Sequence, residues 1–553
     1  MNNLTRKYKP NSVAPIDLSN SGRLDQLIRA GNLYLSLNDA IALSLENNIG
    51  IEIQRYQFEL TDVAYQGSLA GANGAFDPVF NMNQFTIQHT VQPVTQTITS
   101  GNVPTNINDV YNRGFQLQQG FKTGATATLG FTSNKTLTNN STQTFSPSLS
   151  GGLNLNVTQP LLRGGGIGLN TINIKVAKNN QRAADYTFRT QINTQVNQVV
   201  QAYWNLVSAS LNVGVARQSL ELSQRLLDQN KQQIQIGTMA PIDIKQTEAQ
   251  VATGEQTLIT AENAVATQEI AIKNLISRNG LGSASIQSVH IIPTSRVDVP
   301  NIEPAIPYQD LVSQALDARP ELASARIGLE NTNLQMKTTK NALLPQLNLT
   351  GLISQPAQSG TLNPLRNGPS PNPDFVGGYG NVLRQLFYVP NINYNFGVTF
   401  SINLRNRSQQ AAVAAAQLNQ RTQELQLQQQ VNQIRADVQS AQINITNARA
   451  RLNAADRGLA AQEAVVDGTQ RKYQLGTSTL FETIQQQNSL ATARQNVVTA
   501  QVAYATAKLA MDVATGGLME RYNIIFDEAK NGTLTRRADP IPDIVNQNAQ
   551  AAR

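Results

Sequence analysis

Leu427, Val431, Ile434, Val438, Ala441, Ile445, Ala448, Leu452, Ala455 and Leu459 follow one another at spacings that alternate between four and three. That rhythm is the narrow apolar stripe of a helix lying along another helix. No Pro falls between Arg405 and Leu475, and Gly458 and Gly468 are the only glycines inside that stretch. The spacing therefore predicts one helix over 406–475. About 70 residues at ~1.5 Å each make a rod of roughly 105 Å, far beyond the ~11–12 residues of an average globular helix. Ile192, Val196, Val199, Tyr203 and Leu206 keep the same rhythm, which predicts a second long helix over about 170–236. Such elements imply a function that needs length.

Composition narrows the class. Charged residues make up 14% of the 553, against the usual ~25%. Gln and Asn fill the gap, as in Gln428-Gln429-Gln430 and Gln485-Gln486-Gln487. Apolar spacing runs unbroken through these tracts, so they read as the wetted faces of helices. The formal charge of +7 is spread along the chain, with one small cluster at Arg6, Lys7 and Lys9, and no nucleic-acid partner is expected. The absence of Cys excludes a disulfide framework, a thiolate nucleophile and a Cys-anchored lipid. No run of 18 apolar residues is present, which excludes a transmembrane helix. The first residues have basic side chains but no apolar stretch behind them, so they do not read as a signal peptide.

The chain repeats itself. Leu35-Ser36-Leu37-Asn38-Asp39-Ala40-Ile41-Ala42-Leu43 opens a helix, and Tyr308-Gln309-Asp310-Leu311-Val312-Ser313-Gln314-Ala315-Leu316 opens another of the same kind. Each leads to further helix, then Pro78 or Pro345, then strand-like alternation, then a long helix. Each long helix stops at a Gly-Thr turn, Gly237-Thr238-Met239 or Gly476-Thr477-Ser478, and a return helix follows over about 242–276 or 480–514. This predicts an N-terminal extension (1–34), a first repeat (35–280), a linker (281–307), a second repeat (308–517) and a terminal segment ending in a disordered tail (518–553).

Ile392, Tyr394, Phe396, Val398, Phe400, Ile402 and Leu404 alternate with polar residues or Gly, a strong strand signal. Leu347, Leu349 and Ile353 form a partner, and Phe85–Val91 and Leu149–Val157 do the same in the first repeat. Phe115, Leu117, Phe121, Leu129 and Phe131 form a further candidate, read as an inserted hairpin arm, while 101–112, 136–145 and 355–391 read as loops. One apolar and one polar face suit either a soluble sheet or a membrane barrel. About four strands per chain are too few to close a barrel, and an open edge is not tolerated in lipid. If the strands span a membrane, several chains must share one barrel.

At Val157-Thr158-Gln159-Pro160-Leu161-Leu162-Arg163-Gly164-Gly165-Gly166 the chain resembles the strand-to-helix junction of the TolC-like outer-membrane efflux channels. Arg319-Pro320-Glu321-Leu322, Ala342-Leu343-Leu344-Pro345-Gln346-Leu347 and Tyr473-Gln474-Leu475-Gly476-Thr477 fit the same family in the same order. The resemblance implies an internally duplicated α+β membrane protein, a homotrimer whose helices form a coiled-coil barrel through the periplasm beneath a shared twelve-stranded transmembrane β-barrel. It implies a passive exit duct in the outer membrane, in contact with its lipid. Its partners would be a periplasmic adaptor and, indirectly, an inner-membrane pump of an efflux or type I secretion system. Gly237, Thr238, Met239, Gly476, Thr477 and Ser478 would be the adaptor-docking tips. Tyr473 and Asp243 match positions of the family's closing links. Ser478 stands where the family often has Arg, and Glu482 and Gln485 stand where it places two acidic residues in the constriction, so only Glu482 can supply ring charge.

Two other readings stay open beside this one. A soluble coiled-coil scaffold would also explain the Gln-rich helices. The Gly164–Gly168 run could cradle phosphate, but it lacks the P-loop Lys, and a tight strand-to-helix turn accounts for it better. His89 and His290 are the only imidazoles and stand over 200 residues apart, so neither a His-based metal site, a catalytic residue nor a cofactor is expected.

Overall fold

The computed structural model describes residues 15–29, 31–94, 104–235, 241–282, 284–300, 306–366, 368–388, 391–536 and 539. Its main elements in chain order begin with α1 (Gly22–Leu27), β1 (Ile28–Arg29), β2 (Asn32–Leu35), α2 (Leu37–Asn47) and α3 (Ile49–Gly74). Strands β3 (Val79–Pro93), β4 (Thr105–Gly120), β5 (Thr126–Thr138) and β6 (Phe145–Pro160) follow, then α4 (Ile172–Gln235) and α5 (Pro241–Ile276). After β7 (His290–Pro293) the pattern returns as α6 (Tyr308–Ala318), α7 (Pro320–Asn341), β8 (Gln346–Leu362), α8 (Tyr379–Tyr388), β9 (Asn393–Ser401), α9 (Arg407–Gln474) and α10 (Leu480–Thr515). The last is α11 (Phe526–Asn531). Two copies of helix pair, strands, long helix and return helix are present, as the repeat predicts.

The chain forms two compact units. One comprises Met1–Leu60, Ala184–Ala325 and Leu427–Arg553; the other comprises Thr61–Ala183 and Arg326–Gln426.

In the first unit the apolar stripes become the core. Ile192, Val196, Val199, Tyr203 and Leu206 of α4 are essentially inaccessible and pack with Leu43 and Leu45 of α2 and Ile272 and Ile276 of α5. Strand β2 pairs in parallel with β7 over Asn32↔His290 to Leu35↔Pro293, and antiparallel with β1. Residues from the linker and the terminal segment join the same core through Ile291 and Ala529. The Tyr203 hydroxyl donates to Leu35 O at 3.1 Å and accepts from Ser295 N at 2.9 Å, so this buried phenol stitches three distant segments together. On α9, Ile434, Val438 and Ala441 pack with Leu311, Val312 and Ala315 of α6, and Ala448 and Leu452 pack with Tyr504 of α10. Every residue of the four-three stripe is buried or half-buried, while Gln428, Gln429 and their like face outward.

The second unit is built on one antiparallel sheet in the order β3-β4-β5-β6-β8-β9. The sequence expectation of about four strands is thus corrected to six. The stretch read as an inserted arm, and parts of the stretches read as loops, are the full-length neighbours β4 and β5. Asp109, Arg113 and Lys135 interrupt the apolar alternation in these outer strand halves, so period two is not visible there. The presumed loop over 355–391 likewise contains the end of β8 and all of α8. Helix α8 packs Val382 and Leu386 onto Ala357, Phe131, Leu149 and Leu153 of the sheet. Gln385 is buried beneath it and bonds Gln358 through both its amide oxygen and its amide nitrogen.

The Pro160–Gly166 junction is a tight turn, as the glycine run suggests. Gly124 (φ +91°), in the β4–β5 turn, has no room for a Cβ, which would lie 2.4 Å from Gly164 O. Gly166 N donates to Thr123 O at 2.9 Å, and Gly164 N to Asn341 Oδ1 at 2.8 Å. Close backbone approach requires Gly124 and Gly165, whose Cβ would lie 2.6 Å from Pro160 O, and positive φ (+80° and +105°) requires Gly164 and Gly166.

Candidate functional site at the helix turns

Helix α9 ends because Gly476 takes φ +71°. Thr477 N then donates to Lys472 O at 2.9 Å and Gly476 N to Tyr473 O at 3.0 Å. Those are the two bonds of a Schellman turn, which satisfies carbonyls the helix would otherwise leave free. Two residues later α10 starts on Thr479, whose hydroxyl accepts from Glu482 N at 3.2 Å. Thr479 and Glu482 have the spacing of a capping box, but the Glu482 carboxylate instead accepts from the Ser478 hydroxyl at 2.8 Å. The whole reversal takes five residues, 475–479. Leu475, Gly476 and Thr477 are exposed and Ser478 is half-buried.

Behind this turn the two repeats meet. Tyr473 packs its ring against Leu226 of α4 and Leu480 and Ile484 of α10. Its hydroxyl donates to Asn230 Oδ1 at 2.8 Å, and Asn230 Nδ2 donates to Thr247 Oγ1 of α5 at 2.8 Å. Asn230 and Thr247 are both fully buried. An uncharged chain of this kind sets the register of three helices, as a single Asn in a coiled-coil seam does. Further along, Gln250 and Asn488 exchange bonds of 2.8 and 3.4 Å, and Gln462 donates to Gln486 Oε1 at 2.9 Å. Arg494 reaches both Gln218 (3.0 Å) and Glu463 (3.2 Å). Amide pairs thus add to the apolar stripes along these seams, each bond worth about 0.5–1.5 kcal/mol. An open groove of about 550 Å³ runs between α5 and α10, lined by Gln246, Gln250, Phe481, Gln485 and Asn488.

The sequence-predicted residues fall into three groups. Tyr473, Glu482, Gln485, Gly476, Thr477 and Ser478 gather at or near this turn. Gly237, Thr238 and Met239 lie outside the described residues, and Asp243 is described only as part of the α5 backbone. Asn230, which accepts from Tyr473, and Thr247, the next link of the chain, are not singled out by the sequence. The available signal was Asn230 itself, an amide four residues after Leu226 on the buried seam of α4. Of the two imidazoles, His89 hydrogen-bonds to Asp109 on the neighbouring strand, and His290 Nδ1 lies 3.5 Å from Glu269. Among the described residues no three His, Cys, Asp or Glu side chains cluster as metal ligands would, and no helix is long and apolar enough to cross a membrane.

The chain is similar to known proteins along most of its length. The sequence model of the outer membrane efflux protein family matches residues 125–278 and again 311–517, one match in each repeat. Outer membrane protein TolC of Escherichia coli (strain K12) is 22% identical over 371 residues, covering 66% of this chain and 70% of the relative. The Campylobacter jejuni CmeC outer membrane channel superposes with a TM-score of 0.58 at 16% identity, covering 95% of this chain and 98% of that one. The outer membrane protein VceC of Vibrio cholerae gives 0.57 at 16% identity, covering 87% and 96%. With both repeats matched, the chain belongs to the outer membrane efflux protein family.

Proposed function

We propose that three copies of this chain form one passive exit duct. Their strands pool into a single barrel in the outer membrane, their helices reach into the periplasm, and no reaction is catalysed. Family membership gives the outer-membrane efflux channel; the trimer, the gate and the docking tips are the finer reading. The observation that carries it is the sheet. Phe80, Leu117, Leu129, Leu155, Ile353 and Tyr394 stand side by side across all six strands on one face and are all exposed in the single chain. The neighbouring row on the opposite face reads Asn81, Gln116, Gly130, Asn154, Ser354 and Asn393. An apolar outside and a polar inside is the pattern of a water-filled membrane barrel.

Residues 237–239 and the turn at 476–478 are the proposed docking sites for the hairpin of a periplasmic adaptor. An inner-membrane pump, reached through that adaptor, would supply the energy. The proposed gate is the seam behind the turns, where Tyr473 holds the second repeat to the first, with Asp243 a further closing partner and Glu482 and Gln485 facing the constriction. Links of modest strength suit a gate that a docking partner can open. The test is single-channel recording in planar bilayers. Tyr473→Phe combined with Asp243→Ala should raise conductance, and an unchanged conductance would remove the gate assignment.

A further inference from the structure

We infer that the shared barrel has eighteen strands, six from each chain, rather than twelve. The inference rests on the trimer proposed above and concerns only the width of its wall. Strands β4 and β5 are built into the sheet on both sides. β4 pairs with β3 from Val79↔Gln118 to Pro93↔Thr105, and β5 pairs with β6 from Thr126↔Thr158 to Thr136↔Ser148. Their own ladder runs from Asn108↔Thr138 to Gly120↔Thr126.

The two strands also carry the amphipathic pattern of the wall. Leu117 and Leu129 occupy the exposed apolar row, with Phe115 and Phe131 stacked beside them at 6.5 Å between ring centroids. Asn112, Gln116, Gln118, Thr128, Thr132 and Asn134 occupy the other face. A solvated arm would have no use for such a lipid-suited row. The turn joining β4 to β5 is tied to the end of β6, with Thr123 Oγ1 donating to Gln159 Oε1 at 3.0 Å and Gln159 Nε2 donating to Thr123 O at 3.3 Å. His89, Asp109, Arg113 and Lys135 share the face of the apolar row, Arg113 at the middle of β4 and the other three in the strand halves away from that turn.

The edges complete the argument. In the six-stranded order β3 and β9 are the outermost strands and run in opposite directions. β9 of one copy can therefore continue antiparallel into β3 of the next, and three copies close the ring without an unpaired edge in lipid. With strands ~4.8 Å apart and tilted ~40°, eighteen give a backbone diameter of roughly 36 Å, against roughly 24 Å for twelve. The ring is thus about 1.5 times wider across its backbone, and the lumen widens with it. The residues of β4, β5, β6, β8 and β9 that point to its lumen include no Asp, Glu, Lys or Arg, so the barrel interior would not sort solutes by charge.

The chain contains no Cys, so introduced pairs report cleanly. In the membrane-inserted protein, Leu129→Cys with Leu155→Cys should be joined within one chain by a short bifunctional maleimide. Phe396→Cys on β9, scanned against Phe80→Cys, Phe85→Cys and Ile87→Cys on β3, should give linked products of up to three chains. Loss of the first link, with Phe80→Cys joining Leu155→Cys instead, would mean that β4 and β5 leave the wall. Loss of the second would mean that β3 is not an edge partner. Either result in a protein of trimeric mass overturns eighteen strands and leaves the trimer standing. A mass other than three chains overturns the assembly itself, whatever the links within one chain.

Discussion

The Tyr473 hydroxyl donates to Asn230 Oδ1 across 2.8 Å, joining the last turn of the second long helix to the first long helix from 243 residues away. Asn230 passes the bond on to Thr247, so one phenol oxygen holds three helices in register. Tyr473→Phe keeps the ring in its apolar niche and removes only this donor. It should cost about 1 kcal/mol of local stability. Asn230→Ala removes two bonds, the one it accepts from Tyr473 and the one it donates to Thr247, and should cost more, about 1–3 kcal/mol. Hydrogen exchange at the ends of α4 and α9 would rank the two variants, and equal effects would argue against the relay.

The cap of α10 offers a separate handle. Thr479→Ala removes the acceptor for Glu482 N and should cost about 1 kcal/mol, seen as faster proteolytic nicking at 475–479. Glu482→Gln keeps the fold, because the amide oxygen can still accept from Ser478. If Glu482 supplies the constriction's charge, this variant should weaken cation selectivity in bilayer reversal-potential measurements. An unaltered reversal potential would leave Glu482 with the capping role alone.

Asp512, near the end of α10, should make stability depend on pH. Burial raises its carboxyl from 3.8 to about 6, against the opposing pull of Arg521 and Lys508. Because the folded chain holds this proton more tightly than the unfolded chain does, the group's contribution is complete below 3.8 and is lost as pH rises through about 6. Asp512→Asn should therefore gain on the parent protein between those values. Thermal unfolding in detergent across that range would show it, and parallel curves for the two proteins would contradict it.

The two sheet faces should respond oppositely to charge. Leu155→Arg places a cation in the exposed apolar row and should cost about 2–4 kcal/mol if it sits near the bilayer midplane. Asn156→Arg, the next residue on β6, points to the polar face and should insert normally. The fraction of each variant that requires detergent for extraction measures the difference.

Much of this fold could be read from the chain because its signals are periodic and repeated. Leu427 to Leu459 announce α9 by spacing alone, and the alternation from Tyr394 to Phe400 announces β9. Helix α8 was missed although Val382, Leu383, Leu386 and Phe387 have helical spacing, because the Gly- and Pro-rich residues before it read as loop. The outer parts of β4 and β5 were hidden where polar residues occupy both faces, since period two is then invisible. The relay from Tyr473 through Asn230 to Thr247 is not legible in the sequence. Their meeting depends on the relative register of α4, α5 and α9, which no local pattern encodes. Glu482, read first as a constriction charge, proves to have a structural task in its own helix cap, and the two roles are compatible.

The central claim is that these strands are incomplete until identical chains pool them around one pore. Its most direct test is the detergent-corrected mass of the protein extracted from membranes. The expected value is three times 60.0 kDa, in a particle released only by detergent. A single 60.0 kDa chain that stays soluble in buffer without detergent would contradict it.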